Sequence, residues 1–206
     1  MDSAEFRAPL NAAHLERALA GNLIGRRVVV LERVTSTNDV ALQMAHQGAA
    51  EGLVLFAEEQ TAGRGQRGNR WESAPGHGLW FSILLHPDLA PAESIQLMAW
   101  ASQSVAATIG QEFSLPATVK PPNDIYVAER KVAGVLVEMR ARPGAPHLAI
   151  VGIGINLSQS AADFSPSLKT TAISLVTAAG RSIDRQVFAA ALLRDLDRTY
   201  RAAFLP

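Results

Sequence analysis

Apolar positions along this chain fall into two periods. From Arg27 to Val34, RVVVLERV, and from Leu53 to Gln60, LVLFAEEQ, runs of β-branched and large aliphatic residues predict strands. GLWFSILLHP, Gly78 to Pro87, predicts a buried one. KVAGVLVEMR and HLAIVGIGINL read as two strands joined by the turn RPGAP, and ATVKPPNDIYV as a strand broken by a Pro-Pro turn. Helical spacing marks NAAHLERALAG, closed by Gly21, and the stretch from Asp39 to Gln47, with Ser36 or Thr37 as its cap and Gly48 at its end. It marks PAESIQLMAWASQSVAATIG, with Pro91 and Glu93 in the first turn, and two tail helices, Ala172 to Ala179 and Asp184 to Ala203. Strands come in adjacent pairs rather than alternating strictly with helices. That predicts an α+β fold: a mixed, largely antiparallel sheet with helices packed on it. Between Thr61 and Gly78 both periods stop. The segment holds five glycines and almost no aliphatic residue, so it is read as a long functional or mobile loop.

Composition narrows the classes. The 206 residues suit one domain, and 48% of them are apolar, enough for a core. Lys plus Arg number 19 and Asp plus Glu 19, so no overall basic excess points to nucleic acid or an anionic membrane; any anion site must be local. With no cysteine, disulfide scaffolds, thiol nucleophiles and Cys-based metal centres are excluded. MDSAEFRAPL lacks the basic-then-apolar pattern of a leader, and no window reaches the length of a membrane span, so a cytoplasmic protein is expected.

Four segments carry candidate chemistry. In GRGQRGNRW, Gly63 to Trp71, glycines such as Gly63 and Gly65 let backbone N–H groups approach a ligand. Arg64, Arg67 and Arg70 add three positive charges there with no acid among them, making a local anion site or a solvated turn. The pattern fits G-x-G-x-x-G only formally, because no helix follows. Trp71 could stack on a base or anchor the loop to the core. In KPPNDIYVAERKVAGVLVE, Lys120 to Glu138, Lys131 precedes an apolar run, where it is either a fixed cation for a carboxylate or phosphate or plain surface. Asn123 and Asp124 supply turn caps or polar ligands, and Gly134 marks a close approach or a bulge. In VGIGINL, Gly152 and Gly154 at alternate positions clear one strand face for a flat ligand or for tight packing, with Asn156 following. In TSTNDVA, Ser36, Thr37 and Asn38 offer donors and acceptors beyond the needs of capping. The five histidines lack ligand spacing and carboxylates do not cluster, so no metal site is expected. No G-x-S-x-G elbow or Walker A sequence occurs.

Taken in order, STND at Ser36 to Asp39, EEQTAGRGQRGNRW at Glu58 to Trp71, GLWFS at Gly78 to Ser82, KPPNDIYVAERKVAGVLVE at Lys120 to Glu138 and GIGIN at Gly152 to Asn156 resemble the catalytic domain of biotin protein ligases. The resemblance implies a class II aminoacyl-tRNA synthetase/biotin synthetase-like fold. It implies activation of biotin by MgATP to biotinyl-5′-AMP, followed by transfer to a lysine of a biotin carboxyl carrier protein. Biotin would be held by Ser36, Thr37, Asn38, Gln60, Gly63, Arg64, Gly65, Lys131, Gly134, Gly152 and Gly154. ATP would meet Arg64, Arg67, Trp71, Asn123 and Asn156, with Lys131 and Arg64 as the catalytic cations. Mg²⁺ would enter with ATP, with no tightly bound metal. The resemblance also implies one catalytic domain over residues 1–206, with neither an N-terminal DNA-binding domain nor a C-terminal β-barrel domain evident. No nucleic-acid or membrane partner is expected, and a homodimer paired through sheet edges is an open expectation.

Three features depart from the family pattern. Pro121 stands where the usual K-W-P-N-D has Trp, and Gln66 and Asn69 stand where many members have arginine. The chain stops at Pro206, where relatives commonly add the β-barrel. Two competing readings are a noncatalytic biotin or biotinyl-adenylate binder and a lipoate or octanoate ligase of the same fold. Lys131 and the Arg64 loop favour catalysis, since a pure biotin binder needs neither.

Overall fold

The structure, a computed structural model, describes residues 9–205. Most of the segment read for a leader, residues 1–8, lies outside the described residues. Seven strands form one sheet in the order β1 (Arg27–Val34), β2 (Leu53–Gln60), β3 (Gly78–Leu85), β7 (Leu148–Asn156), β6 (Arg130–Arg140), β5 (Asp124–Val127), β4 (Thr118–Lys120). Only the β1–β2 pair is parallel, because α2 (Thr37–His46) crosses between them. Every other neighbour is antiparallel, as a sheet assembled largely from consecutive strands requires. The remaining helices are α1 (Ala12–Ala18), α3 (Ser94–Phe113), α4 (Leu175–Ala179) and α5 (Arg185–Phe204).

Strand alternation sorts the residues into two faces and thereby places the site. On β3, Leu79, Phe81, Ile83 and Leu85 join the large core beneath α3 and α5. Residue Leu84 faces the other way, into a small core with Ala41 of α2, Leu53, Leu148 and Ile150. On β7 the same rule sends Val151, Ile153 and Ile155 into the large core. Gly152 and Gly154 are then left on the α2 face, where Gly154 pairs with Gly134 of β6. Helix α2 covers only part of that face, reaching Gly152 through Asn38 and leaving Gly134 and Gly154 to another segment.

Several local expectations shift. The helix after β1 begins at Thr37, two residues early, and Ser36 is its N-cap residue by position, yet its hydroxyl makes no cap hydrogen bond. α1 ends at Ala18, and Gly21 serves a later turn with φ +90. The 91–93 segment is a 3₁₀ turn leading into α3, which runs on to Phe113, where Ser114 in the left-handed region stops it. Of the tail helices, the first is shorter than expected, Leu175–Ala179. α5 is locked to the sheet by a buried ion pair, Arg185 to Glu58 of β2 at 2.7 Å.

Candidate functional site

The glycine-rich segment is an irregular hairpin growing out of β2. Its strands are joined at Gln60 with Ser73 and at Arg64 with Arg70, and the Gly65 N–H donates to the Asn69 carbonyl at 2.7 Å. Gly63 is required because a Cβ there would lie 2.6 Å from the Trp71 carbonyl oxygen. Gln66 secures the tip to α3 by donating to Met98 Sδ at 2.9 Å. The hairpin folds over the bare part of the sheet and encloses a cavity of about 260 Å³.

At one end of the cavity, β1, α2 and β2 present a polar chain. Gln60 Oε1 accepts from the Thr37 N–H at 2.9 Å and from its hydroxyl at 3.1 Å, while Gln60 Nε2 donates to Ser73 Oγ. Ser82 Oγ, wholly buried on β3, lies 2.8 Å from Thr37 Oγ1 and 2.6 Å from Asn38 Oδ1. The Asn38 amide donates to Glu138 at 2.7 Å. These contacts account for the Thr37 hydroxyl and the Asn38 amide beyond capping needs: both are spent sideways, on the cavity wall.

Arg64 reaches across to Asp39 at 2.7 Å and to Glu138 at 3.0 Å. The hydrogen bond to Asp39 outweighs burial and raises the guanidinium above its already high ordinary value, so it is a fixed cation. The Gly63 to Trp71 segment holds no acid, but the fold supplies two. Arg67 lines the cavity from a left-handed position with φ 57, and Arg70 donates to the Thr61 carbonyl.

Trp71 occupies the glycine bed. A Cβ on Gly154 would meet its indole at 2.5 Å, and one on Gly134 at 3.1 Å. A Cβ on Gly152 would instead strike Asn38 Oδ1 at 2.3 Å. The cleared strand face therefore packs tightly against an aromatic ring and an amide, which is the packing reading of the two that those glycines left open. The ring stands edge-on to Trp80, and its Nε1 is buried without a partner. Lys131 Nζ lies 5.2 Å from the ring centroid and forms an ion pair with Asp124 at 2.6 Å. Asn123 lines the same cavity, but its amide is engaged with the Val135 carbonyl at 2.8 Å. The cis peptide Pro121–Pro122 forms the adjoining wall, where the family pattern has an aromatic.

Beyond Trp71 and Lys131, which line both, a second cavity of about 300 Å³ opens toward Asn156, Gln159 and Phe164. Thus every sequence-predicted site residue but two lines the first cavity. Asn156 lines the second, and Gly63 lines neither, acting at the hairpin base. Asp124, read from sequence as a turn cap or polar ligand, is the ion-pair partner of Lys131. Ser82, Glu138, Asp39, Ser73 and Gln159 were not singled out from sequence. The first three lie inside the quoted motifs, whereas Ser73 and Gln159 give no sequence signal. Among the described residues no group of three or more His, Asp or Glu forms a metal cluster, and no helix is long and apolar enough to cross a membrane.

Known proteins share both sequence and fold with this chain. Bifunctional ligase/repressor BirA of Bacillus subtilis is 34% identical over 192 residues, covering 93% of this chain and 59% of the relative. Biotin--[acetyl-CoA-carboxylase] ligase of Mycobacterium tuberculosis is 31% identical over 211 residues, covering 95% and 73%. The solved biotin protein ligase from Aquifex aeolicus in complex with biotin and ATP superposes with a TM-score of 0.72 at 30% identity, over 86% of this chain and 73% of that one. The chain thus spans about three fifths of the length of the first of these relatives. The profile of the biotin/lipoate A/B protein ligase family matches residues 30–156, from within β1 to the last residue of β7, and with it the hairpin, the glycine bed and Lys131: the chain belongs to that family.

Proposed function

We propose that this chain activates biotin with MgATP as biotinyl-5′-AMP and transfers the biotinyl group to a lysine of a biotin carboxyl carrier protein. The observation that carries the reading is the placement of Lys131 on the wall shared by two cavities. One is lined at its far end by the donors and acceptors a ureido ring needs; the other is flanked by aromatic residues and amides suited to a nucleotide. Biotin bound in the first, with its ring against Thr37, Asn38 and Gln60, would direct its carboxylate toward Lys131. ATP in the second would bring its α-phosphate to the same lysine. A biotin and ATP complex among the related structures supports this assignment.

The chemistry follows from bringing two anions together. A carboxylate oxygen attacks the α-phosphorus, the new O–P bond forms as the bond to the bridging oxygen breaks, and pyrophosphate leaves. Lys131 and Arg64 offset the repulsion, which is the largest obstacle to approach. In the second step the acceptor amine attacks the acyl carbon, loses its proton, and AMP departs. Mg²⁺ enters with the triphosphate as part of the substrate. The hairpin, attached at Gln60–Ser73 and at Met98, is placed to close over the mixed anhydride and keep water from it. The same proposal places the protein in the cytoplasm as one catalytic domain; β1 and β4, at the open sheet edges, are where two copies would pair.

The test is incubation with biotin, MgATP and a carrier domain, followed by mass measurement of the carrier. A biotinyl increment is expected. No increment, together with no biotin-dependent pyrophosphate exchange, would refute the proposal.

A further inference from the structure

Strand β3 is buried along its whole length, yet it carries a serine, Ser82, with no exposed surface. Ser82 stands opposite Gly152 of β7, on the face that α2 partly covers. The Asn38 amide lies on that glycine, since a Cβ there would strike its Oδ1 at 2.3 Å. The direction of the amide is settled by its neighbours. Glu138, ion-paired with Arg64, accepts from Asn38 Nδ2 at 2.7 Å, so Oδ1 is the end that meets Ser82. The Ser82 hydroxyl lies 2.6 Å from that oxygen and 2.8 Å from Thr37 Oγ1. Thr37 spends its own proton on Gln60 Oε1, so it faces Ser82 as an acceptor. One hydroxyl proton thus serves two oxygens and fully satisfies only one of them. Thr37 and Asn38 line the first cavity, whereas Ser82 does not.

We propose that Ser82 is a positioning residue for the ring end of the first cavity. Its hydroxyl holds Thr37 and Asn38 in place as acceptors and leaves one of their two oxygens short of a donor, to be met by a ring N–H of a bound cyclic urea. This rests on the biotin reading of that cavity and adds a residue that acts without touching the ligand. Whichever oxygen takes the ligand's N–H, the Ser82 proton turns to the other. The free protein therefore carries a shortage that the ligand removes. A buried acceptor without a donor is costly, and only a ligand that donates relieves the cost. A ring offering oxygen at the same place sets lone pair against lone pair. Such a site rejects an analogue lacking one N–H far more strongly than an apolar wall rejects a change in size. Alanine at position 82 would leave both oxygens short and free to turn away.

The experiment is pyrophosphate exchange driven by biotin or by its two cyclic carbamate analogues, each with oxygen in place of one ring N–H. The wild type should disfavour at least one analogue in kcat/KM by about 100-fold or more. Ser82→Ala should raise the KM for biotin about 10- to 100-fold, with kcat and the KM for ATP within about twofold of wild type. Its preference for biotin over that analogue should narrow to about 10-fold or less, because the acceptors are no longer held. Ser82→Cys, close in shape but a weak donor, should fall between the two. A Ser82→Ala protein with the wild-type KM for biotin overturns the proposal. So does one in which kcat, both KM values and Tm worsen together, the mark of a purely structural role. So does a wild type that uses both analogues as well as biotin, a result that needs no variant to fold. Exchange with biotin alongside any of these leaves the ligase reading standing. A wild type with no biotin-dependent exchange overturns both.

Discussion

Gly154→Ala probes the packing on which the site depends. The three atoms nearest a Cβ at this position all belong to the Trp71 indole, at 2.5, 2.5 and 2.8 Å, well inside the roughly 3.5 Å at which carbon atoms attract. Backbone freedom is not at issue, since Gly154 is not among the glycines with positive φ. Relief therefore requires the ring to move by about 1 Å off the glycine bed. Overpacking of this kind costs about 1–3 kcal/mol, against about 0.4–1 kcal/mol gained because alanine restricts the unfolded chain. The net loss, about 1–2 kcal/mol, corresponds to a fall in Tm of roughly 2–8 °C for a domain of this size. In a Trp71→Ala background the obstacle is gone and only the gain remains, so the same substitution should raise Tm by about 1–4 °C. Thermal unfolding of the four proteins, followed by far-UV circular dichroism, measures both shifts. The reversal of sign is the diagnostic result. Equal shifts in the two backgrounds would show that Trp71 does not lie on Gly154 in solution.

Lys131→Ala should reduce biotin-dependent pyrophosphate exchange by about 10²-fold or more while changing Tm little, because the ammonium is partly exposed and its partner Asp124 has access to water; near-normal exchange would remove it from the catalytic role. Arg185→Ala should cost about 3–5 kcal/mol, read as a lower urea midpoint, because it leaves the Glu58 carboxylate buried beside Leu10 N–H without its cation. A midpoint unchanged from wild type would show that the pair is solvated. Burial, reinforced by Arg142 and opposed by Glu51, pushes the His86 imidazole below its ordinary value of 6.5. The unfolded state then takes up the proton first, so this contribution to stability is complete above about pH 6.5 and declines as pH falls toward the folded value. His86→Gln should flatten that part of a Tm profile measured from pH 7.5 to 5; an unaltered slope would assign it to other groups.

The elements were legible where burial is periodic. β1 and β2 begin and end where their sequences indicate, and β3, apolar but for Ser82, is buried on both faces. Boundaries drifted where a cap or a turn decides, as at Ser114, whose left-handed conformation ends α3 three residues beyond the expected point. The site was legible as a set of motifs but not as a set of contacts. Arg64 stands in a segment without acids, yet its partners are Asp39 and Glu138, 25 and 74 residues away. Ser82 sits in a strand read as buried and apolar, and only the pleat shows that it faces Thr37 and Asn38.

Sequence alone determined the elements, the two faces of each strand and the glycine stripe of Gly152 and Gly154, because strand alternation is a local property of the backbone. It also indicated that any anion site must be local in a chain of zero net charge. Tertiary structure decided what fills that stripe, which carboxylates meet Arg64, and that Lys131 stands between two cavities rather than inside one. Those outcomes depend on which strands become neighbours and where a hairpin folds back. Such pairings are fixed by the burial of the whole sheet, and no short window of sequence contains them.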